Sequence, residues 1–503
     1  MLKRLFLFIG ALCALSSCSD DDSGLPNGYV YLGENPYLDE GRLTGTNLHF
    51  YGTTTVSDTQ SGERYTNREG YIELAGLDDF TLYLHRFRLE AGTWGSEMRL
   101  RDVGYTPTGD RSLRFALEEV IPEVLQPNEV GGHLNEDYFG GDLNGIRQKL
   151  PYLQSLGVTC LYLNPVFEAA SNHRYNTADY RAIDPLLGTE EEFAALCAEA
   201  RALGMRVMLD GVFSHTGSDS RYFDRFGRYE DVGAFESQAS PYYPWYSFRR
   251  WPDEYACWWN FPTLPNVQEM TPSYAAFIAG EDGVLAHWAA RGATSWRLDV
   301  ADELPDAFIR LLRSRVKALD PEGVLLGEVW EDCSDKQGPE GRRGYVNGDE
   351  LDSAMNYPFA NVVLDFLLER CDAPALAGRL MAQREWYPAP FYRACLNLLS
   401  SHDIVRAITA LSGAPGRDEL TRAQQAAYTP APEQARLGRE RFMLATAIQM
   451  FCPGVPCVYY GDEAGVTGMA DPFNRRTYPW GGEDRAVQAL SLIHISEPTR
   501  HLR

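Results

Sequence analysis

The chain has 503 residues, 44% of them hydrophobic, enough for one large core with a smaller module beside it. Its formal charge of −24 repels polyanions and excludes nucleic acid and anionic membrane surfaces as partners. After the first segment no run of about 18 apolar residues occurs, so no membrane span is expected in the body of the chain.

In chain order, MLKR places Lys3 and Arg4 ahead of the apolar run LFLFIGALCAL, the pattern of an export segment. Leu15-Ser16-Ser17-Cys18 resembles a bacterial lipobox, whose cysteine is lipidated and becomes the mature N-terminus. An ordinary signal peptide is the alternative. Residues 1–18 are therefore expected to be a lipoprotein signal peptide. Residues 19–28, opening on Ser19 and Asp20–Asp22, are expected to be a linker or a surface-export signal. The expected location is the outer membrane, facing the cell surface or the periplasm, with the membrane reached only through the lipid.

Residues 29–112 hold short alternating runs between turn signals, TNLHFYGTT, GYIELAG and FTLYLHRFRL, which predict a small β-sandwich. From about 140 the rhythm changes. Helical segments at 144–157, 190–204 and 307–319 alternate with apolar strands VTCLYL (158–163), MRVML (205–209), SWRLDV (295–300), VLLGEVW (324–330), ACLNLLS (394–400) and VPCVYYG (455–461). Repeated strand–helix units predict a parallel sheet, and this many predict an α/β fold of the (β/α)8 TIM-barrel kind over 113–489. Residues 216–272 interrupt the rhythm with PYYPWYSFRRWPDEYACWWNFP, expected to be an inserted subdomain whose aromatics line a groove. Aromatics fill cores, and they also stack on sugar rings. The eight cysteines after Cys18 lack metal-ligand spacing and read as buried thiols; Cys452 and Cys457 stand close enough in FCPGVPC to pair after export.

In a barrel, chemistry sits where strands end. Asp210 and His215 follow MRVML, Arg297 and Asp299 lie in SWRLDV, Glu328 in VLLGEVW, and His402 with Asp403 after ACLNLLS. Charged groups at the ends of four strands cost stability by desolvation, which argues for a function. Alternation puts Arg297 and Asp299 on one strand face and Trp296, Leu298 and Val300 on the other. A cation beside Asp299 is expected to hold it ionised as a nucleophile, while Glu328 on the next strand keeps a proton.

With these stretches assembled, the chain resembles glycoside hydrolase family 13, the α-amylase family, and within it the neopullulanase, cyclomaltodextrinase and maltogenic amylase branch. The matching stretches run from FGGDLNGI (139–146) through LNPVFEAASNHRYNTADY, DGVFSH, WRLDVADE, GEVW, LSSHD and GVPCVYYGDE to DPFNRRTYPW (471–480). Each alone is short; all of them in order at barrel intervals are specific. The resemblance implies a retaining α-glucan hydrolase acting on α-1,4 or α-1,6 bonds of maltooligosaccharides, cyclodextrins or pullulan. Asp299 matches the nucleophile, Glu328 the general acid/base and Asp403 the third carboxylate that grips sugar hydroxyls. Arg297 matches the residue orienting the nucleophile. Asp210, His215, His402, His173 and Tyr175 match substrate contacts, and Trp330 a wall beside the acid/base.

Departures from the family pattern are local. The first barrel strand has its nearest candidate in LEEVIPEVL (117–125), with Glu123 and Val124 replacing the acidic and arginine positions. The branch's calcium loop is reduced to Gly141 and Asp142, and Ser214 stands where many relatives carry a calcium-binding asparagine. No cofactor is required by the implied chemistry, and calcium is not assigned. Asp302 replaces the usual asparagine beside Glu303, a position associated with linkage preference. The run LSLIHISEPTR (490–500) reads like a translated sequencing adapter, so 490–503 are expected not to belong to the protein, which would leave the barrel truncated at its C-terminal end. Three rivals stay open: an α-glucan transglycosylase using the same residues, a surface glycan-binding lipoprotein without turnover, and an inactive fragment.

Overall fold

The computed structural model describes residues 139–338 and 341–488, together with the backbone of four short strands between residues 81 and 120. The signal peptide, Cys18, the linker, most of 29–112 and the run from 490 lie outside the described residues, as does the question of a sandwich. Contacts divide the chain into two units, one of Met1–Gly140 with Phe226–Glu230, the other of Gly141–Arg225 with Asp231–Arg503.

In the first unit, β1 (Thr81–Leu84) pairs antiparallel with β2 (Phe87–Glu90), and β3 (Met98–Asp102) with β4 (Phe115–Val120). The described part of LEEVIPEVL therefore hydrogen-bonds into an antiparallel pair and is not a strand of the parallel sheet.

The second unit carries the parallel strands. They are β5 (Cys160–Tyr162), β8 (Arg206–Gly211), β11 (Ser295–Leu298), β12 (Leu325–Gly327) and β15 (Ser353–Ala354), hydrogen-bonded in chain order. A parallel bridge from Met355 to Leu396 leads on to β16 (Leu396–Leu398), which pairs with β17 (Val455–Cys457). Consecutive parallel strands joined by helices are the arrangement of a barrel wall. Between them run the antiparallel hairpins β6 (Phe167–Ala169) with β7 (Thr177–Ile183), β9 (Phe248–Arg250) with β10 (Glu254–Tyr255), and β13 (Gln337–Gly338) with β14 (Gly341–Arg342).

The predicted helices form at Leu143–Ser155, Glu190–Ala202 and Asp306–Leu319. Each start has a local reason. Asp142 caps the first by accepting from Gly145 N at 2.5 Å. Thr189 and Glu192 form a reciprocal capping box on the second, with bonds of 3.2 and 2.8 Å. On the third, Phe308, Ile309, Leu312 and Val316 are buried, the spacing of one helical face.

Strand alternation sorts the core into two layers. Leu161, Val207, Leu209, Trp296, Leu298 and Leu325 join the cluster that includes Phe193, Trp288 and the helix residues. Their neighbours Tyr162, Met208, Leu326 and Leu398 form a separate inner cluster. Arg297 stands between Trp296 and Leu298 in β11, in register with Asp210 of β8 and Leu326 of β12. It therefore points inward with the second set. SWRLDV does not run straight to its predicted end. The strand stops at Leu298, and Val300 turns with φ 38°.

The insert departs from the expectation of an aromatic groove. Trp245, Tyr222, Phe223 and Tyr246 are buried, and Phe223 packs within 4.7–4.8 Å of Tyr255 and Tyr246. Most of its rings therefore make a small core, since an excursion of this length needs buried area of its own to stay ordered. Trp259 (72% exposed) and Phe261 (53%) remain at the surface. All eight described cysteines are free thiols, Cys452 and Cys457 included; Cys197, Cys333 and Cys395 are buried, whereas Cys160 is exposed on the first strand of the parallel sheet.

Candidate active site

Arg297 is fully buried, and its guanidinium is the hub of the site. Nη1 lies 2.8 and 3.0 Å from the two oxygens of Asp210 and 2.7 Å from Asp299 Oδ1, while Nη2 lies 2.9 Å from Glu328 Oε2. The sheet register explains the convergence: Asp210 ends β8, Asp299 follows β11 and Glu328 follows β12, at the same edge. Asp299 N donates to Gly211 O (3.2 Å) and Glu328 N to Leu298 O (3.0 Å), so both carboxylates are still fixed by sheet hydrogen bonds.

Glu328 is held at both oxygens. Val300 N donates to Oε2 at 2.8 Å and Trp330 Nε1 to Oε1 at 3.0 Å. Trp330 stacks on Tyr357 with ring centroids 4.0 Å apart, which fixes the direction of its N–H. On the other side, Tyr175 OH donates to Asp210 Oδ2 (3.0 Å) and shares a 2.7 Å hydrogen bond with His402 Nε2. His402 Nε2 also lies 3.1 Å from Asp403 Oδ2. His215 is oriented by Ser214 Oγ on Nδ1 and by the Tyr175 carbonyl on Nε2, each at 3.0 Å. His173 stacks on Tyr175 and accepts from its N–H at 3.1 Å. The ten residues that the resemblance singles out for catalysis and substrate contact thus form one connected network.

The electrostatics differ from the expectation that Arg297 keeps Asp299 ionised. Burial pushes Asp299 well above the usual carboxylate range; the guanidinium pulls it down, and the neighbouring Glu328 and Asp210 push it up again. Asp210 also rises, through burial first. One cation faces three carboxylates in a buried site, so burial and mutual repulsion oppose its pull on Asp299 and Asp210. Asp403 is pushed up to about 7 by burial and by Glu328. Burial drives His215 down to about 4 and His402 well below its ordinary value, with Arg475 and Arg297 adding to the latter. Both imidazoles are therefore neutral near pH 7 and able to exchange hydrogen bonds with hydroxyls.

Two participants escaped the sequence reading. Tyr162 OH donates to Asp210 Oδ2 at 2.9 Å, from the inner face of β5. Arg475, bonded to Asp471 at 2.6 Å, sits close enough to Asp403 and His402 to lower both. Tyr162 was visible as an alternation partner within CLY, and Arg475 lies in the DPFNRRTYPW match.

Above the cluster, Trp258 lies 5.6 Å from the His215 ring and stacks on Trp259 at 5.3 Å. Trp259 Nε1 donates to Glu303 Oε1 at 2.9 Å. This puts an exposed aromatic strip beside the turn that follows Asp299.

The Asp142 carboxylate is occupied as a helix cap and Gly141 is exposed, and no group of three or more His, Cys, Asp or Glu suited to a metal occurs among the described residues. Ser214 is turned to His215. No step below uses calcium.

Residues 105–490 match the family model described as the α-amylase catalytic domain. The chain is 38% identical over 399 residues to an amylopullulanase of Thermoanaerobacterium saccharolyticum, covering 72% of this chain and 30% of that protein. It is 35% identical over 457 residues to a cyclomaltodextrinase of Geobacillus thermopakistaniensis, covering 87% of this chain and 69% of the relative. Among solved structures it is similar to the cyclic α-maltosyl-(1→6)-maltose hydrolase of Arthrobacter globiformis, with TM-score 0.61 and 32% identity over 71% of this chain and 74% of that one. The chain spans only 20–30% of the length of the amylopullulanases it matches. A match over most of the sequence, in the residues that build this network, means that the chain belongs to the α-amylase family of glycoside hydrolases, alongside proteins named cyclomaltodextrinase, neopullulanase and maltogenic α-amylase.

Proposed function

We propose that the chain hydrolyses α-glucosidic bonds of maltooligosaccharides, cyclodextrins or pullulan with retention of anomeric configuration. The observation that carries this is the single guanidinium of Arg297 holding both Asp299 and Glu328, at 2.7 and 2.9 Å. Carboxylates on sister nitrogens of one planar fork suit the separation of about 5–5.5 Å used in retention, rather than the wider gap that admits a water for inversion. Asp299 attacks the anomeric carbon while Glu328 delivers a proton to the departing glycosidic oxygen. A covalent glycosyl-enzyme forms, and Glu328 then takes a proton from the water that releases the sugar. Asp403 and the neutral His215 and His402 accept and donate to sugar hydroxyls, and Tyr175 supplies a stacking face.

The exposed ring of Trp259, stacked on the half-buried Trp258, favours a second reading, transfer to a sugar acceptor seated there in place of water. The test is reducing-sugar release from maltohexaose, pullulan and cyclodextrin by the wild type and by Asp299→Asn, with the product anomer read by proton NMR and longer products sought by chromatography. Equal, non-zero release from both proteins would remove Asp299 as the nucleophile, no release from the wild type would favour glycan binding without turnover, and a β-anomer as first product would remove retention.

A further inference from the structure

We propose that Arg343 and Tyr345 are positioning residues: from behind, they hold the turn Ala301–Leu304 so that Val300 stays left-handed and its N–H stays on Glu328. The proposal rests on the hydrolytic reading above. Val300 has φ 38°, a conformation that a β-branched residue avoids because its side chain crowds the backbone. Such a residue persists only where its surroundings over-determine it, and this one follows Asp299 directly and donates to Glu328 Oε2 at 2.8 Å.

The surroundings are specific. Arg343 Nη2 donates to Ala301 O at 3.0 Å and Leu304 O at 2.6 Å. Tyr345 OH lies 3.1 Å from Ala301 O and 2.8 Å from Asp302 Oδ1, and accepts from Arg343 Nε at 2.9 Å. Arg343 Nη1 closes the arrangement on Asp306 Oδ1 at 2.8 Å, at the start of the following helix. Asp302 is gripped from its other oxygen by Lys336 Nζ at 2.8 Å. Arg343 and Tyr345 are both buried, so neither reaches a substrate; a guanidinium spent on two carbonyls of one short turn is costly unless the turn's shape matters. The two residues come from the segment just after the β13–β14 hairpin, which follows Glu328 in the chain. The acid/base and the clamp on the nucleophile's turn therefore reach the site on one loop.

If the clamp loosens, Val300 relaxes toward an extended conformation, its N–H leaves Glu328, and Asp299 loses its aim. The test uses the full chain with Tyr345→Phe and Arg343→Met, each made in the Val300 and the Val300→Gly background, and assayed on maltohexaose. We expect kcat to fall about tenfold for Tyr345→Phe and of order a hundredfold for Arg343→Met, with KM held within about twofold. In the Val300→Gly background the losses should shrink severalfold, because glycine adopts the left-handed region without a clamp. Unchanged kcat, or equal losses in both backgrounds, would overturn the proposal. Should Arg343→Met not fold, Tyr345→Phe, which removes one hydroxyl, carries the test. Should the unaltered chain release no sugar, the hydrolytic reading has failed, and the crystal structure of Tyr345→Phe decides positioning: Val300 still left-handed and still on Glu328 would refute it.

Discussion

Arg297→Lys tests the central claim most directly. The substitution keeps one positive charge in the site and replaces two sister nitrogens by one point donor. Asp299 and Glu328 are held on different nitrogens, at 2.7 and 2.9 Å, so an ammonium must surrender at least one of them. A hydrogen bond to a charged group contributes about 1.5–3 kcal/mol. If that bond serves the aim of the reacting carboxylates, its loss raises the barrier by the same amount, roughly 10–150-fold in kcat. The assay is steady-state cleavage of maltohexaose, with kcat and KM separated. Because the lost contact orients the reacting groups rather than the sugar chain, KM should change much less than kcat. A variant with kcat within about twofold of wild type would refute the view that the fork, rather than the charge alone, organises the site. Arg297→Met is the poorer test: three buried carboxylates left without a cation destabilise the fold itself, by about 3–5 kcal/mol.

Three further outcomes follow from the same geometry. Trp330→Phe preserves the stack on Tyr357 but removes the N–H on Glu328 Oε1, so kcat should drop about tenfold by the same hydrogen-bond arithmetic, with thermal stability little changed. Trp259→Ala, at a largely exposed position, should leave stability within about 0.5 kcal/mol and raise KM severalfold for long glucans, with little effect on maltotriose; an equal change for short and long substrates would remove the strip from substrate binding. Finally, Glu168, Glu269, Glu463 and Asp403 are each pushed up to about 7, in every case chiefly by burial. The folded chain keeps protons that the unfolded chain sheds above about pH 4, so this stability is full below that range and is lost as pH rises through 7. The melting temperature should therefore fall from pH 5 to pH 8 in differential scanning calorimetry, and a rise would contradict the assigned burial.

The stretches that carry chemistry were readable because chemistry and alternation constrain them together. WRLDVADE shows an inward Arg297 between two apolar neighbours, and the sheet keeps it there, in register with Asp210. Other features left no comparable trace. Ser353–Ala354 is a strand of two residues, too short for any period to register, and it exists because Leu326 and Gly327 offer it partners. The rings of 216–272 read as a groove because composition cannot say which aromatics face one another; long-range contacts such as Trp245 with Phe277 decide that. The upward push on Asp299 was not legible because a dipeptide pattern displays one cation and one carboxylate. It hides Asp210 and Glu328, which arrive from other strands to compete for the same charge. The left-handed Val300 is invisible for a related reason: the side chains that enforce it lie some forty residues downstream.

The insert has its own aromatic interior, yet it is tied to the rim by short backbone contacts, a bridge of His215 with Asn266 and a 3.0 Å hydrogen bond from Val267 N to Ser214 O. That construction separates two evolutionary tasks. If the proposed function holds, mutations at the outer tip around Trp259 would retune which glucans are accepted while leaving the charged centre untouched. Damage to the insert's packing, by contrast, would be transmitted through His215 to the sugar-binding floor, so catalysis could be extinguished by heat while the parallel sheet was still intact.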